Sequence, residues 1–146
     1  MSLCYPQLRF KKFHPKAKAP SKSNPEDAGF DLFAIEECGV GTSGILKVRT
    51  GIGIEIPSGY VGLIWDRSGL SIKHGIHRVG GVIDSTYRGE IVVGLISFES
   101  PYNINIGDKI AQILIQPVWN TPTEWIEVEE LSETDRGEKG FGSSGK

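Results

Sequence analysis

Residues 136–146 combine closely spaced glycines with an arginine and an aromatic ring. Arg136 precedes the run Gly140-Phe141-Gly142-Ser143-Ser144-Gly145. Glycines at this spacing let backbone N–H groups converge on an anion, and a guanidinium adds a fork of donors suited to phosphate. A plain linker would need neither Arg136 nor Phe141. We therefore predict a phosphate-binding tail that is mobile until a ligand or a partner orders it.

A second set of anion-binding candidates, Arg67, Ser68 and Gly69, stands where a predicted strand runs into a short predicted helix. The start of a helix offers unpaired N–H groups and the positive end of the helix dipole. The guanidinium, the hydroxyl and the glycine amide could together hold a phosphate. The alternative is an ordinary serine cap beside a surface arginine.

Asp84 is the candidate general base. It follows the apolar residues Gly81, Val82 and Ile83, and a polar turn leads from it to Tyr87. Apolar arms around such a turn predict a β-hairpin, with Asp84 partly buried at its rim. An ionised aspartate can accept a proton from water at neutral pH, and the tyrosine ring offers a flat face to a sugar or a base. The alternative role for Asp84 is to satisfy the amides of its own turn.

Two further polar residues, Asp31 and Gln112, lie inside apolar runs that predict strands. A buried carboxylate or amide is costly unless it has a partner. A ligand is one such partner, and an internal hydrogen bond is the other. The histidines carry less information, because His74 and His77 are three apart with no third ligand cluster, which argues against a structural zinc site.

The elements that must position these residues are mostly strands. Runs rich in Ile and Val, separated by Gly, Pro, Asn and Ser, predict strands near Leu8–His14, Gly29–Ala34, Gly44–Arg49, Gly53–Ile56, Tyr60–Trp65, Val79–Ile83, Glu90–Phe98, Tyr102–Ile104 and Lys109–Val118. Residues 91–96 and 110–115 are apolar on both faces, which predicts strands covered on two sides. Many short strands without a βαβ rhythm favour a β-sandwich, barrel or jelly roll.

One helix is predicted over Ser68–His74. Ser68 could cap its start with its hydroxyl, and Gly75 could end it in the left-handed conformation.

Composition limits the class of protein. The chain has 146 residues, 38% hydrophobic and 23% charged, with a formal net charge of −2, which suits one globular domain. That charge argues against a polycation that binds nucleic acid, and no apolar run reaches the roughly 18–20 residues of a membrane helix. With two cysteines and no secretory signal pattern, we expect a cytoplasmic protein, or a nuclear one if the source is eukaryotic or viral.

In their order and approximate spacing, these segments resemble the five motifs of the trimeric dUTPase family, the deoxyuridine triphosphate nucleotidohydrolases. Each motif alone is weak, whereas five in the family's order across residues 28–145 are specific. The matching segments are Ala28–Ala34, Gly62–Leu70, Gly81–Glu90, Gly107–Gln112 and Arg136–Gly145. Four positions depart from the family pattern. Asp66 stands where many relatives have proline, Thr86 where many have a second acid, Ser71 where alanine is usual, and Ser144 where threonine is usual.

The resemblance implies an all-β fold, a jelly-roll-like barrel or sandwich with one short helix. A β domain would span residues 1–135, and the mobile glycine-rich tail 136–146 would close on a neighbouring subunit. The implied assembly is a homotrimer with three sites between subunits. Each site would take the first, second and fourth motifs from one chain, the third motif from a neighbour and the tail from the third chain.

The implied reaction is hydrolysis of dUTP to dUMP and pyrophosphate, with Mg²⁺ on the triphosphate. It limits uracil incorporation into DNA and supplies dUMP for thymidylate synthesis. Asp84 would activate the attacking water, Tyr87 would pack under the deoxyribose, and Asp31 would orient water around the metal. The other implied substrate contacts are Arg67, Ser68, Gly69, Gln112 and Arg136 on phosphate, the backbone of Gly81, Val82 and Ile83 on uracil, and Phe141, Gly142 and Ser143 in the closing tail.

Two other functions stay open. A dCTP deaminase relative would share the fold, but that family uses a glutamate base and a different third segment. A non-catalytic nucleotide-binding or regulatory homologue would not need an intact Asp31, Asp84 and Tyr87, which are all present here.

Overall fold

The structure is a computed structural model that describes residues 7–138 and 140. Short strands dominate it, which confirms the mostly-β prediction with one short helix. In chain order the elements are β1 Arg9–Lys12, β2 Phe30–Phe33, β3 Cys38–Val40, β4 Leu46–Arg49, β5 Ile52–Glu55, β6 Tyr60–Trp65, α1 Ser68–His74, β7 Ile76–Val79, β8 Val82–Ile83, β9 Val92–Ser97, β10 Tyr102–Ile104 and β11 Lys109–Pro117.

The strands pair antiparallel and form open sheets. The largest has the order β2-β11-β6-β8, and a second has the order β4-β9-β7. Two-stranded pairings join β1 to β5 and β3 to β10. No sheet in the described part of the chain closes on itself, so the barrel alternative is not formed. The long strand β11 lies between β2 and β6, and it therefore brings residues that are far apart in the sequence to one place.

An aliphatic core holds the sheets together. It contains Leu32, Val48, Ile52, Val93, Leu95 and Ile113, each at most 2% exposed. Burial alternates along β9, because inward residues contact this core while Val92 on the other face is 41% exposed. The prediction that β9 is covered on both faces is therefore wrong for the single chain.

The predicted strand over Val79–Ile83 is split in two. Gly80 and Gly81 adopt φ angles of 77° and 114°, which turn the chain between β7 and β8. After this turn β8 pairs with β6, whereas β7 and β9 pair with each other in the other large sheet. The predicted hairpin between the arms around Asp84 is wrong, because these arms belong to different sheets.

The helix spans the predicted residues, but its start differs from the prediction. Arg67 is the N-cap residue, and no side-chain hydrogen bond caps the helix, so Ser68 does not have the predicted capping role. Gly75 ends it with φ 62° in the left-handed region, as predicted. The strand β3 at Cys38–Val40 was missed, because a run of three residues around a glycine is too short to give a recognisable strand pattern.

Residues 118–138 follow β11 without a helix or a strand, and their side chains are exposed. The division into a domain at 1–135 and a mobile tail at 136–146 stays a prediction. Within the described residues, no helix is long and apolar enough to cross a bilayer.

Candidate active site

One group of the predicted residues meets at the junction between β6 and α1. Gln112 in β11 lies opposite Asp31 of β2 on one side and opposite Trp65 of β6 on the other. The junction is next to a polar cavity of about 240 Å³, which is lined by Ser23, Asp27, Ala28, Gly29, Asp31, Arg67, Ser68, Gly69 and Gln112. The structure therefore brings together the first, second and fourth predicted segments.

Asp31 is only 8% exposed, and two cations compensate its charge. Its Oδ1 lies 3.1 Å from Arg67 Nε, and its Oδ2 lies 2.7 Å from Lys109 Nζ. A buried carboxylate is tolerated when it is paired in this way. The three side chains together carry one excess positive charge beside the cavity. The internal partner that was predicted as the alternative to a ligand is therefore present.

Gln112 is also fixed by an internal partner. Its Nε2 donates to the backbone oxygen of Asp66 at 2.8 Å. Its side chain packs directly against Gly29, where an added Cβ would collide with the Gln112 Oε1. A larger residue at this point would therefore force the Gln112 side chain to shift from its present position.

Asp84 and Tyr87 form a separate, exposed turn. The Tyr87 N–H donates to the Asp84 carbonyl at 3.0 Å, and the Tyr87 hydroxyl donates to the Glu90 carbonyl at 2.9 Å. The tyrosine ring is 45% exposed. Asp84 is exposed too, so the prediction that it is partly buried is wrong in the single chain, because the turn extends beyond the two-residue edge strand β8.

Glu90 anchors the end of this turn to the neighbouring sheet elements. Its Oε1 accepts the Gly51 N–H at 2.8 Å, and its carboxylate pairs with Arg49 at 3.1 Å. This hydrogen-bonded pair raises the pKa of the Arg49 guanidinium. The C-terminal end of the turn that carries Tyr87 is therefore held in place by Glu90.

The backbone at Gly81, Val82 and Ile83 runs along the edge of β6. The Gly81 carbonyl accepts the Ile64 N–H at 2.8 Å, and a Cβ on Gly81 would lie 3.0 Å from the Ile64 carbonyl oxygen. The Val82 side chain is 69% exposed. An exposed apolar side chain therefore lies at this edge of the sheet, in the segment that the resemblance assigns to uracil.

The junction and the Asp84 turn lie apart within one chain. Ile83 pairs with Gly62, and continuing that register places Asp84 level with Val61, whereas Gln112 pairs with Trp65. Four residues of strand correspond to about 13 Å. Neither Asp84 nor Tyr87 lines the junction cavity.

The tail residues are only partly described. Arg136 lies in an exposed turn, in which the Gly137 N–H donates to the Thr134 carbonyl at 3.0 Å. Arg136 does not line the junction cavity. The predicted contacts Phe141, Gly142 and Ser143 lie outside the described residues.

Two residues at the junction were not predicted to have a role. Lys109 is the second cation on Asp31, and its sequence signal was a lysine at the first position of an apolar strand. Asp66 supplies the carbonyl that holds Gln112, and it precedes Arg67 directly. The sequence feature that could have indicated Asp66 is an acidic residue between a predicted strand and a predicted helix.

The carboxylates at the junction suit a hydrated magnesium ion. Asp27 and Asp31 both line the cavity, and Mg²⁺ is typically bound by one or two carboxylates together with water and phosphate oxygens. The described residues contain no cluster of three His, Cys, Asp or Glu that could hold a metal ion. The donor set therefore fits a metal shared with a phosphate ligand and not one enclosed by protein side chains.

Together, the open antiparallel sheets and the polar cavity beside α1 define an all-β protein with a charged candidate site. The dUTPase family model matches residues 15–145, and the chain therefore belongs to the dUTPase family. It is 45% identical over 143 residues to the deoxyuridine 5'-triphosphate nucleotidohydrolase of Nautilia profundicola, covering 96% of this chain and 99% of that protein.

Solved structures show the same likeness. A variant of the Staphylococcus bacteriophage 80alpha dUTPase with dUpNHpp superimposes with a TM-score of 0.87 at 30% identity, covering 96% of this chain and 99% of that one. A variant of the dUTPase from phage phi11 of S. aureus, described as coordinating a structural Mg(II) ion, gives a TM-score of 0.79 at 27% identity and covers 88% of this chain and 100% of that one.

Proposed function

We propose that this chain hydrolyses dUTP to dUMP and pyrophosphate. The observation that carries the proposal is the paired cluster of Asp31, Arg67 and Lys109 beside Gln112 at the start of α1, in a member of the dUTPase family. The reaction needs no nucleophilic side chain, because water is the attacking group and phosphoryl transfer depends mainly on positioning and charge neutralisation.

The junction would hold the triphosphate. The Arg67 guanidinium, the Ser68 hydroxyl, the Gly69 amide and the Gln112 amide all line one cavity. When an anion enters, Arg67 and Lys109 can exchange part of their pairing with Asp31 for phosphate oxygens. The ion pairs thus keep two cations oriented before the substrate arrives, which lowers the ordering cost of binding.

The Asp84 turn would supply the base and the nucleoside contacts. Asp84 would accept a proton from the water that attacks the α-phosphorus, and the bond from that phosphorus to the bridging oxygen would break, releasing pyrophosphate. Tyr87 presents a half-exposed ring on which a deoxyribose can pack. The edge backbone at Gly81, Val82 and Ile83 would bind the uracil.

Asp31 and Asp27 would hold a magnesium ion through water. Mg²⁺, when bound to the triphosphate, neutralises charge that develops on the leaving phosphates. Both carboxylate oxygens of Asp31 already pair with cations in this structure. Asp31 would therefore contact the hydrated metal through water and would not coordinate it directly.

We further propose a homotrimer in which each site is completed by neighbours. The separation of Asp84 from the junction by about 13 Å along β6 supports this assembly. So do the large apolar side chains after β11, of which Trp125 is 94% exposed. Arg136, Phe141, Gly142 and Ser143 would then act on the site of another subunit.

A nucleotide panel tests the proposed reaction. The protein is incubated with dUTP, UTP, dTTP or dCTP and Mg²⁺, and both pyrophosphate and ammonia are measured, with an EDTA-treated sample as the control. We expect pyrophosphate from dUTP alone, with loss of activity in EDTA. Ammonia from dCTP would instead indicate the deaminase, and binding of dUTP without any product would indicate a non-catalytic homologue.

A further inference from the structure

Asp66 joins the two largest sheets at the base of α1. It follows β6, and its carboxylate contacts two residues of β7: Oδ2 lies 2.6 Å from His77 Nδ1, and Oδ1 accepts the Arg78 N–H at 2.8 Å. Because β6 and β7 belong to different sheets, this carboxylate closes the loop that contains α1. We call these contacts the Asp66 clamp.

The Asp66 clamp provides a hydrogen-bond acceptor for a backbone N–H of β7 that the sheet leaves unpaired. Within the described residues β7 is an edge strand whose one sheet neighbour is β9, so an N–H on its outer side needs another acceptor. The Asp66 carboxylate accepts the Arg78 N–H. The Arg78 guanidinium packs 5.0 Å from the centre of the Trp65 ring, which adds a second contact at the same place.

The clamp acts on two residues of the proposed phosphate site. The Asp66 carbonyl accepts the Gln112 Nε2 at 2.8 Å, and the next residue along the chain is Arg67, which pairs with Asp31. The position of the Asp66 backbone therefore sets the position of one donor directly and of another through a single peptide unit.

We infer that Asp66 is a positioning residue for the triphosphate, acting through Arg67 and Gln112. The inference rests on the proposed dUTP hydrolysis. The carboxylate contacts neither β8 nor the Asp84 turn directly, and its link toward β8 runs through Arg78, whose guanidinium donates to the Gly80 carbonyl at 2.7 Å. We therefore expect its loss to weaken the binding of phosphate more than the binding of nucleoside or the chemical step. Because an ionised carboxylate only accepts hydrogen bonds, its 2.6 Å contact with His77 Nδ1 assigns the hydrogen to that nitrogen.

Asp66→Ala tests the inference against Asp66→Asn, whose amide oxygen still accepts the Arg78 N–H. We expect Asp66→Ala to raise the KM for dUTP and the inhibition constant of inorganic pyrophosphate about tenfold, the size of one lost hydrogen bond to a charged group. The kcat and the inhibition constant of dUMP should stay within about twofold. Asp66→Asn keeps the Arg78 contact but presents an amide N–H2 to His77, so its KM should stay within about threefold of the parent.

Ser97→Ala is the matched control. Ser97 lies in β9 opposite Ile76 of β7, and its hydroxyl donates to the Ser100 carbonyl at 2.6 Å, away from the residues that line the junction cavity. We expect it to lower the thermal midpoint while leaving the KM unchanged. Equal changes of KM in Ser97→Ala and Asp66→Ala would mean a general structural effect and would overturn the inference.

Two further outcomes keep the test decisive. If Asp66→Ala does not fold, His77→Ala removes one half of the clamp and should raise the KM about threefold, and an unchanged KM there overturns the inference. If the parent releases no pyrophosphate from dUTP, the proposed function fails, and calorimetric binding of pyrophosphate to the parent and the variants then tests the positioning role alone.

Discussion

The junction at the start of α1 and the Asp84 turn are built in different ways. At the junction Asp31 is buried, two cations pair with it, and three strands hold the participating residues. The Asp84 turn is exposed, follows a strand of two residues, and is held mainly by its own hydrogen bonds and by Glu90. The junction is held by contacts between side chains from distant parts of the sequence, whereas the Asp84 turn is held mainly by hydrogen bonds between residues a few positions apart.

The difference indicates which half of the site is ready before assembly. Charges at the junction are costly to bury unless they are paired, so the chain arranges them while it folds. The Asp84 turn has no comparable cost, since its polar groups contact water in the single chain. In the proposed function, the phosphate half would therefore be preorganised in each chain, and the nucleoside half would be completed by a neighbouring subunit.

Asp84→Asn should have the largest effect. The amide cannot accept the proton of the attacking water, so we expect kcat to fall about 1,000-fold, as for the loss of a general base. Binding of dUTP should stay within a few-fold of the parent, because the proposed phosphate contacts are at the junction. Pyrophosphate release and equilibrium dialysis with dUTP measure the two quantities. Hydrolysis at the parent rate would refute the assignment of the base.

Deletion of residues 136–146 should have the next largest effect. It removes Arg136 and the glycine-rich run, so we expect kcat/KM for dUTP to fall roughly 100-fold, the size of a lost phosphate donor. The assembly should be unaffected, because the proposed contacts of the tail are with nucleotide. Sedimentation velocity checks the assembly. Dissociation of the trimer would mean that the tail is structural.

Much of the strand pattern follows from the sequence, because it rests on local signals. The bounds of β6 and of α1 coincide with the predicted ones, and Gly75 ends the helix as predicted. The failures arise where pairing is decided at long range. Nothing local in the apolar arms around Asp84 says that β8 pairs with β6 while β9 pairs with β7.

The candidate site also contains residues that the sequence indicates locally and partners that depend on long-range pairing. Asp31 and Gln112 stand out in the sequence because polar residues in apolar strands need partners. Their partners, Lys109 and the carbonyl of Asp66, could not be predicted, since they depend on the alignment of β11 with its neighbours. The exposure of Asp84 was also unpredictable, because it depends on β8 being an edge strand.

Gly29→Ala tests the preorganised half. The added Cβ would collide with the Gln112 amide and push it out of its hydrogen bond to the Asp66 carbonyl. We expect the KM for dUTP to rise about tenfold with kcat little changed, since one phosphate contact is lost. Gly39→Ala is the control for glycine replacement, because Gly39 does not line the cavity, has no positive φ, and would bring an added Cβ only to an ordinary contact of 3.7 Å with Asn103 Oδ1. A normal KM in Gly29→Ala would show that Gln112 is not a phosphate ligand.

Thr86→Ala should have the smallest effect and tests the exposed half. Thr86 lies in the Asp84 turn with its side chain exposed, and the turn is closed by the Tyr87 N–H and hydroxyl. Removing an exposed hydroxyl from such a turn typically changes stability by less than about 0.5 kcal/mol. We therefore expect kcat/KM within about twofold of the parent. Steady-state kinetics over a range of Mg²⁺ concentrations measures it. A tenfold loss would mean that a neighbouring subunit or the bound nucleotide uses this hydroxyl, and the Asp84 turn would then be less self-contained than the single chain indicates.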